Sequence, residues 1–251
     1  RRICYVRCHP YGQPPKINDR QGLLQPCCTL HSMNADGSDV VTLSWHETTD
    51  TFPRVANDGR IVYTRWDYID RDFNVGHHLW FCMPDGRDPR SPHGNYPQPH
   101  STLDRDSPWY NPETKKFRDG RLDRPWAEYC IRPIPGSHKF IAVASIHHSK
   151  PAGELIVIDP SVPDDNAMAQ VRRITGTRLP QESITSEKKV RRGDMPYAWP
   201  WPLSEDYYLV RHMDSGNLVL MDRFGNRDAL ITEKPVLFAI PVKERPRPPI
   251  M

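Results

Sequence analysis

The feature that most constrains this chain is a repeating unit: a β-rich run, a tight Asp-Gly-type turn, and a second alternating run. The clearest copy spans Trp45 to Arg90. Phe52-Pro53-Arg54-Val55-Ala56 leads into the turn Asn57-Asp58-Gly59-Arg60. Ile61 to Trp66 then alternates as a strand, and His78 to Met83 runs into a second turn at Pro84-Asp85-Gly86-Arg87. Asp-Gly between β-branched and aromatic runs is a strong hairpin signal, because Gly accepts the positive φ that such turns need. The pattern returns in Thr29-Met33, Asn34-Ser38 and Val40-Leu43 before it. After it come Cys130-Ile134, Pro135-Ser137, Lys139-Ser145, Glu154-Ile158 and Val171-Thr175, and then Tyr197-Pro202, Leu203-Asp206, Tyr207-Arg211, Asn217-Asp222 and Ala229-Thr232. Four strands per unit, several closed by a Leu-Thr or Ile-Thr pair, describe the blades of a β-propeller. The expected fold is therefore all-β: a β-propeller of four-stranded antiparallel blades. About four blades are recognisable, the first without its opening strand, as in an incomplete six- or seven-bladed wheel. Open strand edges invite pairing, so further blades or a partner are expected to close it.

Composition narrows the rest. The 251 residues include 27 prolines, and no long Ala/Glu/Leu/Lys-rich window exists to build a helical bundle. With 34 basic and 31 acidic side chains and a formal charge of +3, the chain lacks the clustered excess of Lys and Arg that nucleic-acid surfaces carry. Its longest apolar run, Phe140 to Ile146, is far short of the roughly 20 residues that span a bilayer. Six cysteines settle no redox compartment. The chain starts in strand-like sequence without a targeting pattern, as a piece of a longer or processed protein would. The repeat is read as one propeller domain over residues 1–240, with an irregular insertion at about 89–126 and a Pro-rich linker at 241–251.

Met33-Ser38, Asn57-Thr64 and Leu79-Gly86 resemble the TolB-type propeller repeat. More narrowly, Ile61-Arg71, Arg132-Ser137, His147-His148 with Gly153-Asp159, and Arg245-Pro249 resemble the middle domain of the hydrazine synthase alpha subunit and its planctomycete relatives. That resemblance implies the propeller fold, an extracytoplasmic or periplasmic setting, and flanking domains or protein subunits as partners. Hydrazine synthase carries c-type haems on domains flanking its propeller. A c-type haem needs Cys-x-x-Cys-His, and no such sequence occurs here; Cys4-Tyr5-Val6-Arg7-Cys8-His9 has one residue too many. Haem is thus expected only outside this chain, and alternation along the strand makes Cys4, Val6 and Cys8 a packing face.

The propeller pattern also sorts the loops. If the Asp-Gly turns share one end, the opposite end collects Trp45-His46-Glu47, Trp66, Asp67, Asp70 and Arg71, the pairs His77/His78 and His147/His148, and Arg211 with His212. Loops that converge on a rigid scaffold are where ligands bind. Trp66, Asp67, Asp70, Arg71, Arg211 and His212 are therefore the candidate ligand-binding residues. His77, His78, His147 and His148 are candidate ligands of a divalent metal, one of each pair facing a shared ion because neighbours on a strand point opposite ways. Asp67 and Asp70 form an alternative carbohydrate-active pair, set against ion pairing with Arg65 and Arg71. Tyr197, Trp199 and Trp201 read as a packing stripe, and the prolines beside them suit an innermost or edge strand. No Gly-x-Ser-x-Gly nucleophile elbow is present. The favoured expectation is a non-catalytic scaffold or binding module; its rivals are a metal- or haem-linked redox site and a carbohydrate-active site.

Overall fold

The computed structural model describes residues 2–8, 16–18, 24–26, 28–46, 49–66, 77–94, 110–111, 113, 116–117, 125, 127–145, 151–163, 169–176, 195–231 and 233–249. Among these, every regular element is a strand and there is no helix. In chain order they are β1 (Arg2–Cys8), β2 (Lys16–Asn18), β3 (Leu24–Pro26), β4 (Cys28–Asn34), β5 (Val41–Thr42), β6 (Thr49–Val55), β7 (Ile61–Trp66), β8 (His77–Cys82), β9 (Tyr110–Asn111) and β10 (Lys116–Phe117). They continue with β11 (Ala127–Pro133), β12 (Phe140–Ser145), β13 (Ala152–Ile158), β14 (Val171–Arg173), β15 (Tyr197–Pro202), β16 (Tyr207–His212), β17 (Leu218–Asp222) and β18 (Arg227–Ile231).

One 11-stranded sheet dominates, ordered β18-β17-β16-β15-β13-β12-β11-β8-β7-β6, with β14 also pairing β13. A three-stranded sheet, β1-β4-β5, and the small pairs β2-β3 and β9-β10 stand beside it, and none of these sheets closes on itself. Pairing is antiparallel except where Ala127 of β11 meets His77 of β8 in parallel. The alternating runs are buried on both faces: every residue of β7 and β12 is buried. Burial on both faces suits the near-continuous apolar run of β12, whereas β7 also buries Thr64 and Arg65, which bond to the Glu128 carbonyl and to Asp50.

The same irregularity appears three times. The pairing register shifts between Thr51 and Arg54 in β6, between Tyr129 and Arg132 in β11, and between Ala198 and Trp201 in β15. At each break one non-glycine residue takes a positive φ: Phe52 at 55°, Cys130 at 55° and Trp199 at 53°. A β-bulge adds a residue and re-aims the strand, so repetition at matching positions is a property of the repeating unit. The three bulges also meet, with the Phe52 ring 5.9 Å from Tyr129 and 5.8 Å from Trp199. The prolines of β15 fit because that strand pairs β13 only through Ala198 and Tyr197; Pro200 and Pro202 forfeit no ladder bond on that side.

Consecutive units are joined through their turns. Asn57 Nδ2 donates to the carbonyls of Ile134 at 2.7 Å and Ser137 at 2.8 Å. Ser137 Oγ and Lys139 Nζ in turn donate to the two oxygens of Glu205 at 2.5 and 2.7 Å. On the preceding side, the turn at Gly86 sits against Leu43, just past β5 of the three-stranded sheet. Gly86 has φ of +85°, and a Cβ there would lie 2.2 Å from the carbonyl oxygen of Leu43. Gly37, in the corresponding turn, has φ of +87° with nothing within 4 Å. Both Gly→Ala changes meet the left-handed penalty of about 1–2 kcal/mol, but only Gly86→Ala also drives backbone against backbone. Thermal melting is expected to place Gly86→Ala several degrees below Gly37→Ala; equal melting would remove the contact with Leu43.

The cysteine expectation is corrected in part. Cys4 and Val6 pack against the cluster of Leu30, Leu43, Ile61, Tyr63 and Cys82, as alternation predicts. Cys8 does not join them: it is exposed and bonded to Cys28, its register partner on β4, at an S–S distance of 2.02 Å. Cys8 lies at the exposed end of β1, directly opposite Cys28, and cross-links β1 to β4 there.

Candidate functional site

The registers sort the ends as the repeat predicts. Trp66 pairs with Thr49 and His77, Ala127 with Ser145 and His77, and Tyr197 with His212, so these residues share the end opposite the tight turns. Asp67, Asp70, Arg71, His147 and His148 lie outside the described residues.

The described candidates are not arranged as one open site. Trp66 and His77 are both buried and stack on each other, ring centres 5.3 Å apart and 10° from parallel, with Tyr129 edge-on to His77 at 5.3 Å. His212 is half-buried against Tyr197 at 5.8 Å, its Nδ1 2.9 Å from Ser215 Oγ. Burial, and then the positive charge of Arg227, lower its pKa. Arg211 is half-buried, with its Nε enclosed and without a hydrogen-bond partner.

His78 turns the other way from its neighbour, into a polar cluster that sequence reading missed. Its centre is Glu128, a fully buried carboxylate on β11. Glu128 Oε1 accepts from His93 Nε2 at 2.5 Å and lies 3.9 Å from His78 Nδ1, while Oε2 accepts from the Leu79 amide at 3.3 Å. Gln170 completes the set. Its Nε2 donates to the carbonyls of Pro92 at 3.0 Å and Val162 at 2.6 Å, which fixes the amide so that Oε1 faces His93 Nδ1 at 2.6 Å. Both His93 nitrogens thus face oxygens, Nε2 that of Glu128 and Nδ1 that of Gln170. Burial works to raise the Glu128 carboxyl, but His93 and then His78 outweigh it and hold its pKa at about 2. The loop lies tight over this cluster: at Gly94, with φ of +90°, a Cβ would lie 2.5 Å from the His78 ring.

A second enclosed cluster sits on β6 and β7. Asp50, fully buried, accepts from Arg65 Nε at 2.8 Å and Nη2 at 3.2 Å, and its Oδ2 lies 2.6 Å from His46 Nε2. Burial opposes ionisation, and the bonds from His46 and Arg65 overcome it, so the Asp50 pKa is lowered. The Arg65 guanidinium also lies over the Trp80 ring, 4.5 Å from its centre. In the sequence, Arg65 was set against Asp67 and Asp70 as an ion-pair partner; its described carboxylate is Asp50 on the paired strand.

Chemically, these clusters are closed. Glu128 and Asp50 are fully buried, and their described bonds run to neighbouring cations and an amide. Among the described residues no group of three or more His, Cys, Asp or Glu side chains is arranged to hold a metal ion. His93 sits in the polar insertion and Gln170 in a turn, and neither carries a sequence signal. Glu128 did leave one: a carboxylate within the otherwise apolar start of β11, Ala-x-Tyr-Cys-Ile.

No protein-family model matches the chain, and no curated protein matches it. Solved structures do. Hydrazine synthase from Kuenenia stuttgartiensis superposes with a TM-score of 0.54 at 13% identity, covering 84% of this chain and 26% of that one. Puromycin hydrolase (TM-score 0.41, 13% identity, 83% of this chain and 26% of that one) and virginiamycin B lyase from Staphylococcus aureus (0.39, 10%, 94% and 61%) are more distant. The present chain spans about a quarter of the hydrazine synthase chain it matches. At this identity the likeness is one of fold: an all-β, propeller-like architecture. No helix among the described residues is long and apolar enough to cross a membrane.

Proposed function

We propose that the chain forms consecutive four-stranded blades of a β-propeller and acts as a non-catalytic scaffold or binding module of a protein resembling the hydrazine synthase alpha subunit. The observation that carries the reading is the threefold bulge at Phe52, Cys130 and Trp199, whose strands adjoin one another while their turns bond in sequence. In this reading β6-β7-β8, β11-β12-β13-β14 and β15-β16-β17-β18 belong to successive blades, and β1-β4-β5 to a blade lacking its opening strand. The fully exposed outermost strand β18 is an edge that another chain or domain would cover. The non-catalytic part of the proposal rests on the enclosed state of Glu128 and Asp50, both tied to structural partners.

The Cys8–Cys28 bond supports an extracytoplasmic setting, since such cross-links persist where thiols are not kept reduced. Peptide mapping of non-reduced protein secreted to an oxidising compartment is expected to recover Cys8 linked to Cys28. Recovery of a free Cys8 thiol would count against the setting.

Elemental analysis with a visible absorption spectrum tests the functional reading. A colourless protein without stoichiometric metal is expected. A Soret band, or stoichiometric zinc, copper or iron lost on His78→Ala, would overturn the scaffold reading in favour of a redox site.

A further inference from the structure

The residues that follow the three bulges form a cluster unlike the enclosed carboxylates. Pairing resumes at Arg54 in β6, at Arg132 in β11 and at Trp201 in β15, so these three side chains occupy matching positions on three adjoining strands. The Arg132 guanidinium lies over the Trp201 ring at 4.2 Å from its centre, and Arg245 of the C-terminal segment lies over the same ring at 4.9 Å. That segment is held in place through Phe238, 6.3 Å from Trp199, and through the Val236 amide, which donates to Gly216 O at 2.8 Å.

Among the described residues, no carboxylate bonds to any of these three guanidiniums. Arg132 is only 8% exposed, and its Nε is enclosed with no hydrogen-bond partner. Arg54 donates only to the carbonyl of Pro53 at 2.7 Å, and Arg245 only to that of Pro241 at 2.9 Å. Burial first, and then the charges of Arg54 and Arg245, depress the Arg132 pKa to about 10, which still leaves it charged at neutral pH. Elsewhere in the described structure the buried guanidinium of Arg65 has its carboxylate in Asp50. A buried charge with no partner is costly, and stacking on Trp201 offsets only part of that cost. Supplying the missing negative charge is what the arrangement lacks.

We propose that Arg54, Arg132 and Arg245, the last two lying over the Trp201 ring, bind a tetrahedral oxyanion of the phosphate or sulfate class, free or as a monoester. A carboxylate matches one guanidinium in a flat, two-pronged pair. Guanidiniums arriving from two strands and a separate segment suit an anion with several oxygens and a charge near −2 instead. The neutral thiol of Cys130, pushed up to about 12 chiefly by burial, adds no competing negative charge. This inference is independent of whether the domain is a scaffold.

Thermal melting and tryptophan fluorescence of the whole chain, titrated with sodium phosphate, sulfate or glycerol phosphate against sodium chloride at matched ionic strength, test it. A saturable rise in melting temperature with the tetrahedral anions is expected, as for any ligand that binds only the folded state. Inorganic phosphate and the monoester distinguish a free from an esterified anion. Arg132→Leu is expected to weaken that response roughly tenfold or more while melting no lower than wild type in chloride, since it removes an uncompensated charge. Arg54→Gln supplies a second, partly exposed variant with the same expected weakening. Superimposable curves for phosphate and chloride, a response confined to a dicarboxylate such as succinate, or an unchanged phosphate response in both variants would overturn the site.

Discussion

Glu128→Ala is expected to cost about 3–5 kcal/mol, the range for removing one partner of a buried ion pair, and to lower the melting temperature by roughly 6–20 °C. The deletion removes a fully buried carboxylate, and the His93 Nε2 and the Leu79 amide both lose the oxygen they meet. Glu128→Gln keeps the shape but not the charge, and its cost depends on pH in a definite sense. The folded carboxyl titrates near 2, below its ordinary value of 4.5. Its contribution is therefore complete above pH 4.5 and is lost as pH falls toward 2, amounting to roughly 3 kcal/mol across that window. Denaturant titrations at a series of pH values should show wild type and Glu128→Gln converging as the solution is acidified from 4.5. Parallel curves, or a Glu128→Ala protein within about 1 kcal/mol of wild type, the ordinary effect of a point change, would mean that the cluster is not formed.

Asp50 gives the second large effect. Asp50→Ala takes a carboxylate away from Arg65, whose side chain is 10% exposed, and removes the oxygen that His46 Nε2 meets. A loss of about 3–5 kcal/mol is expected again. Because Arg65 also stacks over Trp80, Arg65→Met keeps part of its packing and should cost less than Asp50→Ala. In the Asp50→Ala background the same change should become nearly neutral or stabilising. Additive losses in the double variant, measured by denaturant unfolding, would show that the two side chains do not interact.

These effects sit where sequence reading was weakest, and the reason is physical. Strands built from local alternation and turn chemistry were legible: Ile61–Trp66 and Tyr197–Pro202 occur at their expected bounds, the turn at Asn57–Arg60 joins β6 to β7, and the turn at Pro84–Arg87 follows β8 as read. Local periodicity and the positive φ of glycine dictate both. Contacts across long separations were not legible. Glu128 meets His93 over 35 residues and His93 meets Gln170 over 77, and no pattern in the chain marks those partners. The His77/His78 pair shows both halves of this. Alternation correctly turns the two rings apart, but what each ring meets, Trp66 and Tyr129 for one and Glu128 for the other, depends on neighbouring strands. The bulges are intermediate: the matching Phe52-Pro53-Arg54, Cys130-Ile131-Arg132 and Trp199-Pro200-Trp201 triplets stand in the sequence, but only the shared positive φ reveals their equivalence. Trp201 was expected to pack as part of an aromatic stripe; the bulge at Trp199 interrupts that stripe, and Trp201 is half-buried with two arginines over its ring.

The account rests on successive units lying side by side through their turns, and one cross-link tests that directly. Lys139 Nζ is 2.7 Å from Glu205 Oε2, a contact between residues 66 apart in the chain. A zero-length carbodiimide joins an amine to a carboxylate only where the two touch. Digestion of the treated monomer is expected to yield a Lys139–Glu205 isopeptide, lost in Glu205→Gln while the protein stays folded. Absence of that product, with Lys139 coupled instead to carboxylates outside the neighbouring turn, would contradict the arrangement and with it the propeller reading.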